Sequence, residues 1–312
     1  MEIHSTRCKQ RNPSLRKKED FSSFFNDMVI LNHCMPSVPL EEIIKATKIC
    51  IFAGNPRIYG KFIRKILPNL TQPINLFLMG SDQTFPNNTD FRRYMSRQSY
   101  PKNINVLFKH PLIKKIFVEN LDCALPKTHA IPIGINQEVS PTDFQYYSKH
   151  INIDIKKPLK FTNLNISRFN SIQWAERHYV NQLSTNCWFE HHAKTHTEGK
   201  PKPFTHKSYL KVLSKYMFTV CVHGGGLDVN PKLWEALLVG TIPIIRENKP
   251  YTDIYKDLDF PVVIVEDWSN KTITLERLEA WRDEYYHYFT DPDKRQDMLH
   301  KLSTDYWKDY TK

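Results

Sequence analysis

Residues 217–248 constrain the fold more than any other stretch. MFTVCV at 217–222 is a β-branched and aromatic run that suits a buried strand. His223 then opens a break at Gly224, Gly225 and Gly226. The chain has only nine glycines, so three together mark backbone that side chains would obstruct. Asp228 or Asn230 can cap the next helix, and Pro231 suits its first turn. Leu233, Ala236 and Leu237 share an apolar face, while Lys232 and Glu235 lie three apart near the helix start. Gly240 stops the helix, and 241–245 begins a second strand. Strand, helix and strand in immediate succession favour parallel pairing.

The same rhythm recurs along the chain. Short apolar runs at 49–53, 74–79, 104–108, 113–118 and 130–135 read as strands, with helical spacing at 40–47 and 58–67. A polar stretch at 137–157, with Pro141 and Pro158 near its ends, reads as a linker. Strands are then expected at 159–165, 186–189 and 262–265, with helices at 171–183, 209–216, 275–289 and 293–310. Strands this short and apolar fit parallel sheets covered on both faces. The expected fold class is α/β, with two Rossmann-like domains facing a cleft, parallel sheets and C-terminal helices. The expected domains are 1–140, beginning with a flexible basic arm at 1–20, and 141–312, whose last helix can pack back on the first.

Net charge is +11 over 312 residues, which favours anionic partners without choosing among them. The Lys and Arg residues are dispersed and match no nucleic-acid-binding signature, so nucleic acid is not an expected partner. The six cysteines form no C-x-x-C pair, and structural zinc is not expected. Residues 1–20 are polar and basic, with no apolar signal core, and no run is apolar enough to span a membrane. Cytoplasmic residence follows as an expectation.

In open α/β sheets ligands sit beyond the carboxyl ends of the strands. That rule singles out Asp82, His110, Glu119, Asn120, Asn165, residues 223–228 and Arg246. A glycine turn entering a helix N-terminus favours an anion, through free N–H groups and the helix dipole. Lys232 adds positive charge for a diphosphate, and Glu235, one turn on, can accept from ribose hydroxyls. Together they suit a nucleotide diphosphate conjugate. A tight turn with a surface Lys and Glu is the competing reading. Neither a Walker loop nor G-x-G-x-x-G is present, which argues against a dinucleotide oxidoreductase.

FTNLNIS at 161–167, Arg177, GGGLDVNPKLWEALLVGTIPII and FPVVIVEDWSN at 260–270 resemble the exostosin-like glycosyltransferases. GSD at 80–82, FVEN at 117–120 and IPIGI at 131–135 are also similar to that group, so the resemblance runs over about 74–285. It implies a GT-B enzyme that moves a hexose or pentose from a nucleotide sugar, with inversion, to a glycan or glycoprotein hydroxyl. UDP is the implied carrier, with xylose the guess for the sugar, and no further cofactor or metal is required. In the family a basic residue holds the diphosphate and a glutamate three residues on binds the ribose. Here these positions are Lys232 and Glu235. The chain departs by having lysine for arginine, by one extra residue after Asp228, and by lacking a membrane anchor, which points to a soluble, virus-encoded or microbial relative.

An inverting transfer needs a base and positive groups for the departing diphosphate. Asp82 is the first choice as base, with His110 and Glu119 behind it and Asp122 and His33 lower. Asp82 as a turn residue is the plain alternative. The donor side is expected to use Asn165, Ser167, Arg168, Arg177, His223, Gly224, Gly225, Gly226, Asp228, Lys232 and Glu235. Trp234 reads as core packing rather than a base-stacking platform. DLD at 257–259 is discounted as a metal motif, and the His- and Lys-rich stretch 190–206 reads as a basic loop over the phosphates. A nucleic-acid-binding protein and a non-catalytic sugar-binding relative are the alternatives.

Overall fold

Alternation along the strands decides the layering of the first half. The computed structural model describes residues 24, 26–31, 38–52, 57–80, 82–89, 100–135, 139–151, 157, 161–162, 175–186, 205–224, 226–228, 231–249 and 251–312. Five parallel strands lie side by side in chain order: β1 (Val29–Leu31), β2 (Lys48–Phe52), β3 (Ile74–Met79), β4 (Ile113–Val118) and β5 (Thr128–Ala130). Ile49, Ile51, Leu76, Leu78, Ile116 and Val118 enter one core, which also takes Ile43, Tyr59, Phe62 and Leu107. Cys50, Phe52, Phe77, Met79 and Phe117, one residue out of phase, enter a second core that continues into the other half of the chain. Helices α1 (Leu40–Ile44), α2 (Arg57–Lys61) and α3 (Val106–Lys109), with a π-helical turn at Phe62–Ile66, therefore serve the first face. A sequential parallel order with right-handed crossovers requires that one-sided arrangement.

The second half follows the same plan: α4 (Pro141–Lys149), β6 (Phe161–Thr162), α5 (Ala175–Asn186), α6 (His206–Leu213), β7 (Phe218–Val220), α7 (Pro231–Val239), β8 (Ile242–Arg246), α8 (Asp253–Asp257) and β9 (Val263–Val265). Strands β6 to β9 are parallel and again in chain order. The chain closes with α9 (Leu275–Tyr285), α10 (His287–Thr290), α11 (Pro292–Lys301) and α12 (Thr304–Tyr310). This is the two-sheet parallel α/β architecture expected from the sequence, with carboxyl ends meeting across the halves. Among the described strands neither sheet reverses its order.

Helix α7 lies at the centre of the second half. Every residue from Leu233 to Val239 is buried, as in a helix packed on all sides. Its final carbonyls have no water to bond, and a distant arginine takes them. Arg295 on α11 donates from Nη1 to Leu237 O at 2.8 Å and from Nη2 to Leu238 O at 2.6 Å and Tyr147 O at 3.2 Å. Burial pushes that guanidinium down to about 9. Trp234 packs edge-on between Trp307, 5.9 Å away, and Phe260, 5.5 Å away, so it is core.

Several segments depart from the expected elements. The run 104–108 forms a turn and then α3, not a strand. Ile104 N donates to Pro101 O and Val106 N to Asn103 O, and His110 N closes the helix on Val106 O. An apolar run of this length does not distinguish strand from buried helix. The stretch 137–157 contains α4, capped by Ser140 Oγ, which accepts from Asp143 N at 3.0 Å. Phe144 and Tyr147 bury this helix in the second core, so it is not merely a linker. The segment 275–289 breaks into α9 and α10, and 293–310 breaks at Ser303 into α11 and α12. Residues 1–20, 163–165 and 187–189 lie outside the described residues.

The chain end returns to the first sheet. Asn75 Nδ2 donates to Thr311 O at 3.1 Å and Lys312 O at 3.2 Å, and Tyr310 stacks obliquely on Phe117 at 6.3 Å. No helix among the described residues is long and apolar enough to cross a membrane.

Candidate functional site

The glycine turn after β7 meets the carboxyl edge of the first sheet. Gly226 has φ +78°, where an L side chain is strained, and a Cβ there would fall inside the van der Waals radius of Asn120 Oδ1. Asn120 follows β4. Its Oδ1 accepts from Leu227 N at 2.8 Å and from Asp228 N at 3.1 Å. Two amides of the turn are thus held by the first half. Gly224 is buried beside them, and Gly225 is outside the described residues.

Asp228 continues the same bridge. Its Oδ2 accepts from Ile133 N at 2.7 Å, and the single proton of Tyr251 OH is shared between that oxygen and Ile131 O, each 2.9 Å away. Asp228 was expected to touch the donor. Its carboxyl group ties the turn to the segment after β5, since a buried polar group is costly to leave without hydrogen bonds.

Beneath the turn lies a buried polar cluster. Arg177 on α5 donates from Nε to Val222 O and His223 O, each at 3.2 Å, fixing the end of β7. Lys232 begins α7 and feels the Arg177 guanidinium. Burial first, and then that like charge, push its amine down to about 7, against smaller opposing effects of Cys221 and Glu235. Glu235 is 2% exposed. Its Oε1 lies 3.4 Å from His206 Nε2. It also bonds the Tyr209 hydroxyl, which burial and this carboxylate together raise well above its ordinary value. A ribose hydroxyl reaching Glu235 would exchange with these α6 side chains. Cys221 is held as a thiol, its pKa pushed up to about 12 by burial.

A second constellation lines the carboxyl edge of the second sheet. Glu176, at the start of α5, accepts from Arg246 Nε at 2.7 Å and Trp268 Nε1 at 2.6 Å, and its Oε2 lies 2.5 Å from His223 Nε2. Burial alone would raise this carboxyl. Hydrogen bonds and charge from His223 and Arg246 outweigh it and hold Glu176 well below the usual carboxylate range. These partners come from the ends of β7, β8 and β9.

The three base candidates are not equivalent in space. Asp82 lies two residues past Gly80 at the end of β3 and is partly exposed. Glu119 ends β4 and is 1% exposed. Its Oε2 accepts from Gly80 N, joining two strand ends. His110 is brought to neither. It follows α3 and precedes β4, so it lies at the amino edge of the sheet. The length of β4 separates it from the cleft, roughly 20 Å for six residues of strand. Its imidazole is pushed down by partial burial and by Lys127, and its Nδ1 accepts from Leu112 N at 3.3 Å. The expectation that it followed a strand fails because 104–108 is helical. Asp122 is a loop cap, accepting from Asn87 N at 3.1 Å and Thr89 N at 3.1 Å. Asp259, in the DLD stretch, accepts from Tyr288 OH.

Asn165, Ser167, Arg168, His33 and the stretch 190–204 lie outside the described residues. Sequence reasoning did not find Glu176, Tyr209 or Trp268, and it had His206 at the end of a loop, whereas His206 opens α6 behind the Thr205 cap. The one local signal for Glu176 was a carboxylate in a first helical turn, beside the arginine that drew attention. Its partners lie 47, 70 and 92 residues away along the chain.

No family model matches the chain, and no curated protein matches it. Among solved structures, the crystal structure of TarM is similar over 86% of this chain and 55% of that chain, with 12% identity and a TM-score of 0.44. The crystal structure of the glycotransferase of kitacinnamycin is similar over 85% of this chain and 75% of that chain, with 12% identity and a TM-score of 0.34. The chain thus spans about half the length of TarM.

Proposed function

We propose that the protein is a glycosyltransferase that uses a nucleoside diphosphate sugar, with UDP as carrier. The observation that carries this reading is the meeting of Arg177, Lys232 and Glu235 under a glycine turn, at the carboxyl edge of one parallel sheet. The facing edge carries Asp82. Two cations and a helix N-terminus suit a diphosphate, and a buried carboxylate suits hydroxyls.

The reaction proposed is a single inverting displacement. Asp82 takes the proton of an acceptor hydroxyl on a glycan or glycoprotein. That oxygen attacks the anomeric carbon, the bond to the diphosphate oxygen breaks, and its electron pair leaves with the nucleotide. Arg177 and Lys232 neutralise the charge that develops there. Xylose is the first sugar to test, given the resemblance to exostosin-like enzymes. The free thiols of Cys50 and Cys221, both buried, suit the cytoplasmic setting that forms part of the proposal.

A thermal-shift panel of UDP- and GDP-sugars tests the reading. One nucleotide class is expected to raise the melting temperature, and Lys232→Ala and Glu235→Gln are expected to abolish the rise. A flat response across the panel refutes it.

A further inference from the structure

Glu176 poses a problem for an anion site. An ionised, largely buried carboxylate at the carboxyl edge of the sheet repels a phosphate. Arg246 offsets that charge, donating from Nε at 2.7 Å and Nη2 at 3.3 Å, and leaves Oε2 also facing His223. Glu176 Oε1 is locked by Arg246 Nε at 2.7 Å and Trp268 Nε1 at 2.6 Å, so the group cannot turn away. Its Oε2 then meets His223 Nε2 at 2.5 Å. His223 is the residue that opens the glycine turn, and its own carbonyl is held by Arg177 Nε at 3.2 Å.

We propose that Glu176 is a positioning residue that keeps His223 as an imidazolium, oriented to meet the diphosphate of the donor. This rests on the nucleotide-sugar reading above. With Nε2 given to Glu176, any bond from His223 to a phosphate oxygen runs through Nδ1–H, which exists together with Nε2–H only in the cation. A carboxylate partner favours that cation, as in other carboxylate–histidine pairs. Glu176 is suited to this because Arg246 and Trp268 also bond its carboxylate and favour its charged form. The other charged groups packed about this end of β7 are Arg177 on α5, His206 on α6, Lys232 and Glu235 on α7, and Arg246 on β8. Lys232, pushed down to about 7, titrates in the same range, so a pH profile of the wild type alone does not isolate His223.

A double-mutant cycle does. UDP is titrated calorimetrically from about pH 5.5 to about pH 8.5 into wild type, Glu176→Gln, His223→Gln and the double variant. Toward the acid end a higher proton concentration favours the imidazolium without Glu176, so Glu176→Gln is expected to lose less affinity for UDP there than at the alkaline end. At the alkaline end it is expected to bind about tenfold more weakly. His223→Gln is expected to lose the same alkaline-side affinity, and Glu176→Gln to add nothing to it. A uniform loss at every pH marks a purely structural carboxylate and overturns the proposal, as do independent, additive effects. If Glu176→Gln does not fold, His223→Gln decides alone, because an unchanged alkaline profile removes the role. Failure of the wild type to bind UDP removes the nucleotide reading itself, and this role with it, and is distinct from binding without coupling.

Discussion

Replacing Gly226 with alanine probes the joint between the halves. The new Cβ meets two separate penalties. One is the backbone, held at φ +78°, where an L side chain costs about 1–2 kcal/mol. The other is Asn120, whose carboxamide occupies the space the methyl needs. Displacing it breaks the bonds at 2.8 and 3.1 Å to Leu227 N and Asp228 N, about 1–3 kcal/mol together. Gly226→Ala should therefore destabilise by roughly 2–5 kcal/mol, and Asn120→Ala alone by about 1–3 kcal/mol. In the double variant the methyl has room and the bonds are already lost. Its cost should fall short of the sum by about 1–3 kcal/mol, because the lost bonds are otherwise counted twice. Urea unfolding of the four proteins at one pH measures all terms. Strict additivity would refute the account, since it would mean that Asn120 and the methyl do not compete.

Two further outcomes follow from the site. The folded-state pKa of Lys232 is depressed to about 7 from 10.5, so the unfolded chain binds the extra proton between those values. Stability should then rise with pH across that window, and Lys232→Met should stabilise the unliganded protein most below neutrality and least above pH 10.5. Melting curves over that range check the sign. Asp82→Asn should abolish sugar transfer while His110→Gln leaves it within about twofold, since only Asp82 lies at the carboxyl edge. Turnover with the donor found by thermal shift decides between them.

What was legible in the sequence was mainly periodic. The alternation of Ile49 to Phe52, Ile74 to Met79 and Ile113 to Val118 is a local property, and it marks strands covered on both faces. The run of strand, glycine turn and apolar helix at 217–239 was readable for the same reason. So was the place of Lys232 just past a strand end. One exception, 104–108, shows the limit of local information. A run of five residues, four of them apolar, fits either state, and i to i+3 bonds begun at Pro101 settled it.

Contacts that close over long chain separations left no such trace. Asn120 reaches Leu227 across 107 residues, Arg295 reaches Leu237 across 58, and Glu176 reaches Trp268 across 92. Nothing in the neighbouring residues encodes these pairings, because each follows from how two sheets and their helices pack. By itself the sequence determined the parallel α/β plan and the edge at which a ligand would sit. The tertiary structure decided which side chains line that edge. It committed Asp228 and Asn120 to joining the halves and drew Glu176 and His206 into the site. It also put His110 at the far end, since a turn and helix, not a strand, lead into it and β4 runs from there toward the cleft.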